Sequence, residues 1–533
     1  MSKPAFGELI EHTEEAGHTG KAALLILVAL VLVGLGKSAD TKFTYDEYVT
    51  YRIAALPSLR DVWRFFADGL DTTGPLSALI AHPASHSALY PELLMRLPFA
   101  LMALGFGLGM FAFLRRRYPA GFALAALLVP WEMPKVAELL LQPRAYPIVL
   151  GCTGMAIWLW QSAAERRGRP WSVAGLWFAL ALAMNAHFYA ILLVLPFALA
   201  QWVHQKEQRG PDPAVWLALL LSPLGWLPVA AGELAARQYY AQHFAKPALD
   251  TVGIVYESWL MESWPLLLVF VVFVVGLGLF QAKSGHSLAQ GSCGGFKRAE
   301  WVLAAGLILL PLYGWVAALP VGAYQVRYVM ASSAGFILCL LAGVAELCRR
   351  NRHAGLIFFA LIALLFVCNE NGAYLIDGVA ALLHPTRPHQ ALQAEVRQQA
   401  WVQRLNATTL PIAVDNETYG ALDLYAPPEL AGRTWGLTDL AEPEQHEGAM
   451  TDQTNLVQFS RRFPIRTMDV AAFMQQNPHF LMIVQRQARH FEWLPEYLLA
   501  RQRTNANLTI SLLQLDNRQG MAIYEVNTTA SPH

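Results

Sequence analysis

Two carboxylates stand side by side at Asp46 and Glu47, inside the run Phe43-Thr44-Tyr45-Asp46-Glu47-Tyr48. A carboxylate framed by aromatic rings can take a proton from a hydroxyl or an amine, and burial beneath those rings raises its pKa toward working pH. The same two residues suit a plainer task, with Asp46 capping a helix and Glu47 in its solvated first turn, and the local sequence leaves both readings open. A second group is Gln142-Pro143-Arg144-Ala145-Tyr146. Its guanidinium can grip a phosphate oxygen with a planar fork beside the Tyr146 hydroxyl, or it can simply anchor the chain among lipid headgroups. Arg327-Tyr328 repeats the arginine-plus-aromatic arrangement, and His187 and Glu138 are further candidates for substrate contact, as is Tyr328 itself. His82 and His86 lie four apart with Glu92 nearby, although Pro83 argues against the regular helix that would align them on a metal.

These residues must be held by something, and the bulk of the chain says what. Of 533 residues, 55% are hydrophobic and 15% charged, with mean hydropathy +0.34, more apolar surface than one water-soluble core can hide. The bilayer is the expected partner. A formal net charge of +0 and the lack of a long basic run exclude nucleic acid. The N-terminal apolar run lacks a basic n-region and reads as a retained anchor. The five cysteines have neither CxxC nor CxxH spacing, so neither a disulfide framework nor a zinc site is indicated. No P-loop, dinucleotide fingerprint, GxSxG elbow or HExxH is present, which argues against nucleotide-driven pumping and against serine or zinc hydrolysis.

With about 20 residues needed per crossing, apolar spans are expected at 22–36, 93–114, 119–133, 147–161, 171–184, 188–203, 214–231, 265–281, 301–319, 328–347 and 356–368, about eleven in all. Pro130 and Pro134 would break the third. Arginine and lysine collect in alternate loops (Arg115 to Arg117, Arg166 to Arg169, Lys206, Lys297 and Arg298, Arg349 to Arg352), which places those loops in the cytoplasm. Asp46, Arg144, His187 and Arg327 then share the outer face. Ser58 caps a predicted helix whose Leu59, Val62, Trp63 and Phe66 would lie in the membrane interface. We therefore divide the chain into a membrane module over 1–370, with an external loop at 37–92, and an external α/β domain over 371–533. That domain should contain strands at 412–414, 480–484, 508–515 and 521–526, the last two forming a hairpin.

Taken in order, the acidic pair after the first span, Gly74-Pro75-Leu76, Arg96-Leu97-Pro98, Arg144-Ala145-Tyr146, His187-Phe188-Tyr189 and Arg327-Tyr328 resemble lipid-linked-sugar glycosyltransferases of the GT-C fold. The likeness is to the bacterial relatives of protein O-mannosyltransferases and of aminoarabinose transferase (glycosyltransferase family 39/83-like). It implies a polytopic α-helical enzyme of the bacterial inner membrane, working on the cell envelope without a required cofactor. A monosaccharide would pass from a polyprenyl-phosphate donor to an extracytoplasmic acceptor (protein, lipid A or envelope glycan), with inversion. Asp46, with Glu47, would serve as the catalytic carboxylates, and Arg144, Tyr146 and Arg327 would bind the donor phosphate. Two departures stand out: relatives carry Glu-Ala-Arg where this chain has Gln142-Pro143-Arg144, and a basic residue where it has Gly74. They leave a divalent metal possible but unsupported. The rival reading is a transporter or flippase of lipid-linked glycans that performs no covalent chemistry; charges at mid-membrane would favour it.

Overall fold

The computed structural model describes residues 6–71, 73–87, 91–208, 210–240, 247–284, 294–320, 324–383, 389–439, 451–485, 493–504, 507–516 and 520–528. The chain is a polytopic helical membrane protein with a C-terminal sheet domain. Four described helices are long and apolar enough to cross a bilayer singly, at His18–Ser38, Pro91–Arg115, Phe188–Gln208 and Trp264–Lys283. Three bent pairs raise the number to seven. This is fewer than the eleven apolar segments in the sequence because several of those are shortened or broken. Ala120–Glu132 and Pro134–Leu140 meet at 84°, where the prolines remove the amide donors that a continuous helix needs. Arg352–Cys368 and Glu370–Leu383 meet at 67°. The second arm packs back along the Phe6–Asp40 helix, so the helical body runs to Leu383, past the expected boundary at 370. Asn369 and Asn371 at this bend donate to Glu132 at 3.2 and 2.7 Å, which occupies that acid in holding the fold.

The Pro91–Arg115 and Ala145–Ala164 helices pack backbone to backbone. A methyl on Gly109 would lie 2.1 Å from the Gly154 carbonyl oxygen, so only glycine allows this approach. The second of these helices is the rod that carries Arg144 at one end.

Outside the body, the predicted helix at Leu59–Ala67 forms with Ser58 as its cap, accepting the Asp61 N–H at 3.2 Å. What it packs against differs from the expectation of a helix lying in the membrane interface. Its buried face carries Val62, Phe65 and Phe66; Phe65 stacks on Phe459 at 5.6 Å, and Phe463 lies 6.3 Å away. Amphipathic spacing shows that a face is buried without naming the surface that covers it.

The C-terminal domain is built on a six-stranded sheet in the order β3-β2-β1-β4-β6-β5. Its strands are β1 (Ile412–Val414), β2 (Thr434–Thr438), β3 (Thr467–Asp469), β4 (His479–Gln485), β5 (Leu508–Asp516) and β6 (Met521–Thr528). The first four pair in parallel, and β5 and β6 form the expected antiparallel hairpin against β4. The sequence reading missed β2 and β3, which are three to five residues long. One apolar core joins the domain to the Tyr45–Ala54 and Leu59–Ala67 helices, running from Tyr48, Ile53 and Phe65 to Leu405, Ile412, Tyr425 and Phe459.

Candidate active site

Thr44 starts the Tyr45–Ala54 helix with a reciprocal cap: its hydroxyl accepts the Glu47 N–H, and its own N–H donates to Glu47 Oε2 at 2.8 Å. The cap fixes the first turn and so the direction of Asp46. Arg96 holds both Glu47 oxygens, with Nε at 2.7 Å from Oε1 and Nη2 at 2.6 Å from Oε2, both side chains being buried. The same guanidinium donates to the Ser38, Thr41 and Lys42 carbonyls at 2.9–3.1 Å. Three donors, two of them on one buried guanidinium, thus engage this carboxylate within the fold. Through Arg96, Glu47 staples the end of the first span to the helix that carries Asp46.

Asp46 is placed differently. Arg327 Nη1 lies 3.0 Å from its Oδ2 and Arg144 Nη2 lies 3.6 Å from its Oδ1, with about a fifth of the Asp46 side chain open to solvent. Arg144 is buried in extended backbone just ahead of the Ala145–Ala164 helix, and its Nη1 also reaches Asp71 Oδ2 at 3.3 Å and Thr50 Oγ1 at 3.5 Å. Its Nε has no hydrogen-bond partner. Burial alone would raise the pKa of Asp46, but Arg327 and Arg144 more than offset that and hold it below the usual carboxylate range.

Aromatic rings back the cluster. The Arg327 guanidinium lies 5.9 Å from the Tyr146 ring centroid, and His187 lies 4.8 Å from Tyr328 and 6.1 Å from Tyr146. His187 is buried, and its Nδ1 accepts the Tyr189 N–H at 3.3 Å. Burial and the two arginines push its pKa down to about 3, so the imidazole is neutral and contributes shape and a hydrogen bond rather than charge. The Gly74 turn is set against the same place. Its N–H donates to the Ala186 carbonyl at 3.1 Å, and a methyl there would sit 2.0 Å from the Asn185 oxygen.

The structure thus brings together Asp46, Arg144, Tyr146, His187, Arg327 and Tyr328. Glu138 stays outside, paired to Lys135 at 3.3 Å with about half of its side chain exposed. Sequence reasoning missed Asp71, whose Oδ1 accepts the Thr73 N–H and hydroxyl at 3.0 and 3.2 Å. The one signal for it was its place three residues ahead of Gly74. His82 Nδ1 and His86 Nδ1 are bound to the Ala54 and His82 carbonyl oxygens at 2.7 and 2.9 Å. Among the described residues, no group of three or more His, Cys, Asp or Glu is arranged to hold a metal ion. Cys293 lies outside the described residues; the other four cysteines are free.

No family model matches this sequence, and no curated protein sequence does. A solved structure does match in fold. The crystal structure of ArnT from Cupriavidus metallidurans bound to undecaprenyl phosphate aligns over 97% of this chain and 100% of that one, with a TM-score of 0.50 at 16% identity. The fold is GT-C. The apo crystal structure of the same ArnT aligns over 96% and 99% of the two chains, at 14% identity and a TM-score of 0.39. Within this GT-C body, the cluster lies where the Tyr45–Ala54 helix, the start of the Ala145–Ala164 helix, the His187 turn and the Val326–Val329 turn meet.

Proposed function

We propose that this protein is an integral-membrane glycosyltransferase, moving a monosaccharide from a polyprenyl-phosphate donor to an extracytoplasmic acceptor with inversion at the anomeric carbon. The observation that carries the reading is one carboxylate, Asp46, gripped by two arginines at a partly open site. A base and the groups that would stabilise a departing phosphate must meet at one carbon. The fold supports it, and in the ArnT structure that shares it undecaprenyl phosphate is bound, a chemistry that we carry here to the donor. The alternating positive loops support a reading with the cluster and the C-terminal domain on the periplasmic side of a bacterial inner membrane.

In the resting site Asp46 is a weak base, because two cations stabilise its ionised form. A donor phosphate competes for those cations. Once Arg144 and Arg327 turn to the phosphate oxygens, Asp46 loses its counter-charges in a buried setting and its proton affinity rises. The acceptor oxygen or nitrogen then attacks the anomeric carbon from the face opposite the phosphate, giving up its proton to Asp46. The bond from carbon to phosphate oxygen breaks and its electron pair leaves with polyprenyl phosphate, whose new charge meets the two guanidiniums. The donor itself releases the base, so an empty site does not squander reactivity on water.

The experiment is incubation of the purified protein with radiolabelled polyprenyl-phosphate sugars and envelope acceptors. Release of polyprenyl phosphate that disappears in Asp46→Asn is the expected result. No Asp46-dependent release from any donor in a broad panel would overturn the reading.

A further inference from the structure

A second polar group opens beside the cluster and is not used by the chemistry above. Between the Leu59–Ala67 and Ala230–Tyr240 helices lies a pocket with about 460 Å³ of empty space, part of it open to the outside, lined by Trp63, Phe66, Asp71, Thr73, Pro75 and Glu233 among others. Its walls are set by packing. A methyl on Gly232 would lie 2.2 Å from the Phe66 carbonyl oxygen, so the two helices meet backbone to backbone and the space between their side chains is preformed. Glu233 points into a setting that does nothing for it. The residue as a whole is partly buried, yet its Oε1 is shut off from solvent without a hydrogen-bond partner. Burial, and then the charge of Asp71, push its pKa up to about 8, so at neutral pH it is a carboxylic acid with one O–H to donate and lone pairs to accept. A buried polar atom without a partner is costly, and a carboxyl group on the wall of a preformed pocket is a polar handle for a ligand there.

The chemistry of the lining selects that ligand. Trp63 and Phe66 offer flat apolar surface, while Glu233 and Asp71 offer one mixed donor-acceptor and one acceptor. A pyranose or furanose ring has this combination, with C–H faces that lie on an aromatic ring and hydroxyls at the edge that both donate and accept. A cation fits less well. No three-ligand group is present among the described residues, and an ammonium or metal ion would first have to displace the Glu233 proton. We propose that this pocket binds a neutral saccharide ring, stacked on Trp63 with its hydroxyls on Glu233 and Asp71, directly beside the Asp46–Arg144 pair. Asp71 and Asp46 grip the same guanidinium, so a ring bound here has an edge within reach of the reacting centre. Only the assignment of that ring to a substrate rests on the transferase reading; saccharide binding itself does not.

The test is binding rather than turnover, so its failure differs from a failure of transfer. The full-length protein in detergent is titrated with methyl glycosides of neutral hexoses and pentoses, followed by saturation-transfer NMR and tryptophan fluorescence. Saturable binding at millimolar concentration is expected, weakened at least tenfold by Glu233→Ala and by Trp63→Ala. Glu233→Gln keeps a donor and an acceptor without any charge and should hold binding within about threefold. Simultaneous binding of glycoside and undecaprenyl phosphate assigns the ring to the acceptor, and mutual exclusion assigns it to the donor sugar. Absence of binding by every neutral glycoside overturns the proposal. So does binding that ignores both alanine variants, and so does preference for amino sugars or divalent ions that is lost in Glu233→Gln, which would make this a site for positive charge.

Discussion

Arg144 precedes the Ala145–Ala164 helix and Glu165 follows it, so two charge clusters stand about 30 Å apart at opposite ends of one rod. In the inner one Glu300 is saturated, while Glu165 Oε2 has an ion-pair contact with Arg167 at 3.3 Å and no hydrogen-bond partner among the described residues. Arg117 Nε donates to both Glu300 oxygens at 2.8 Å and its Nη2 pairs with Glu165, while Gln161 and the Lys297 N–H each donate to Glu300 at 2.8 Å. The outer one is under-coordinated: Asp46 has one contact of 3.0 Å and one of 3.6 Å, and an Arg144 N–H has no acceptor. Both clusters pair buried or half-buried arginines with acids. The difference is that Glu300 is fully occupied within the fold, whereas Asp46 keeps valences that a substrate can fill. Charge at a membrane surface says little about role; hydrogen-bond completeness says more.

The comparison breaks most sharply at Asp46. Asp46→Asn should cost on the order of 10³-fold in turnover, within the range of about 10²–10⁴ for a general base, and should leave thermal stability close to wild type. The readout is kcat by release of polyprenyl phosphate beside a melting curve; near-normal turnover would remove Asp46 as the base. Arg144→Gln and Arg327→Gln should each cost about 10²–10³-fold, the range for a removed charge-stabilising donor. The inner cluster should respond in the opposite way. Glu300→Gln, which leaves Arg117 short of a counter-charge, should destabilise by about 3–5 kcal/mol, while the protein that remains folded keeps its kcat within about twofold. Equal loss of kcat at both ends would erase the distinction.

A pH profile sharpens the point. In the free enzyme Arg327 and Arg144 hold Asp46 ionised to a pH below its usual range, so protonation should inactivate kcat/KM only in strong acid. In the donor complex the arginines are engaged by phosphate, and the acid limb of kcat should lie at higher pH. Coincident limbs would mean that the donor leaves the Asp46 counter-ions in place.

These contrasts also mark what the sequence could show. Asp46, Arg144 and Arg327 stand in short motifs at span ends, and positive loops put all three on one face, so their meeting was legible before any coordinates. Glu47 was not, because Arg96 lies 49 positions away inside a motif that reads as the start of a span, and adjacency in sequence says nothing of which neighbour is buried. Asp71 and Glu233 carry no local pattern; what sets them apart is a shared guanidinium in one case and a cavity in the other. For the fold, hydropathy located the apolar segments and the prolines marked the break at Pro134, but nothing marked the bend at Asn369. The strands with alternating or continuous apolar runs were visible, whereas Thr434–Thr438 and Thr467–Asp469 are too short to show a period. The Leu59–Ala67 helix was readable from its cap and spacing, but its partner is supplied by residues nearly 400 positions away.

The smallest expected effect tests the pocket between those regions. Folded Glu233 has its pKa pushed up to about 8, against about 4.3 for an unfolded glutamate. Between those values the folded carboxyl keeps a proton that the unfolded chain has released, so stability from this group is complete below about pH 4.3 and declines as pH rises toward 8. Glutamine does not titrate. The melting temperature of Glu233→Gln relative to wild type should therefore climb by a few degrees between pH 5 and pH 8 and level off above that. A difference that stays constant over this range would show Glu233 ionised in the folded protein and turn the pocket into a site for positive charge, so that it pairs with cations as Glu300 does.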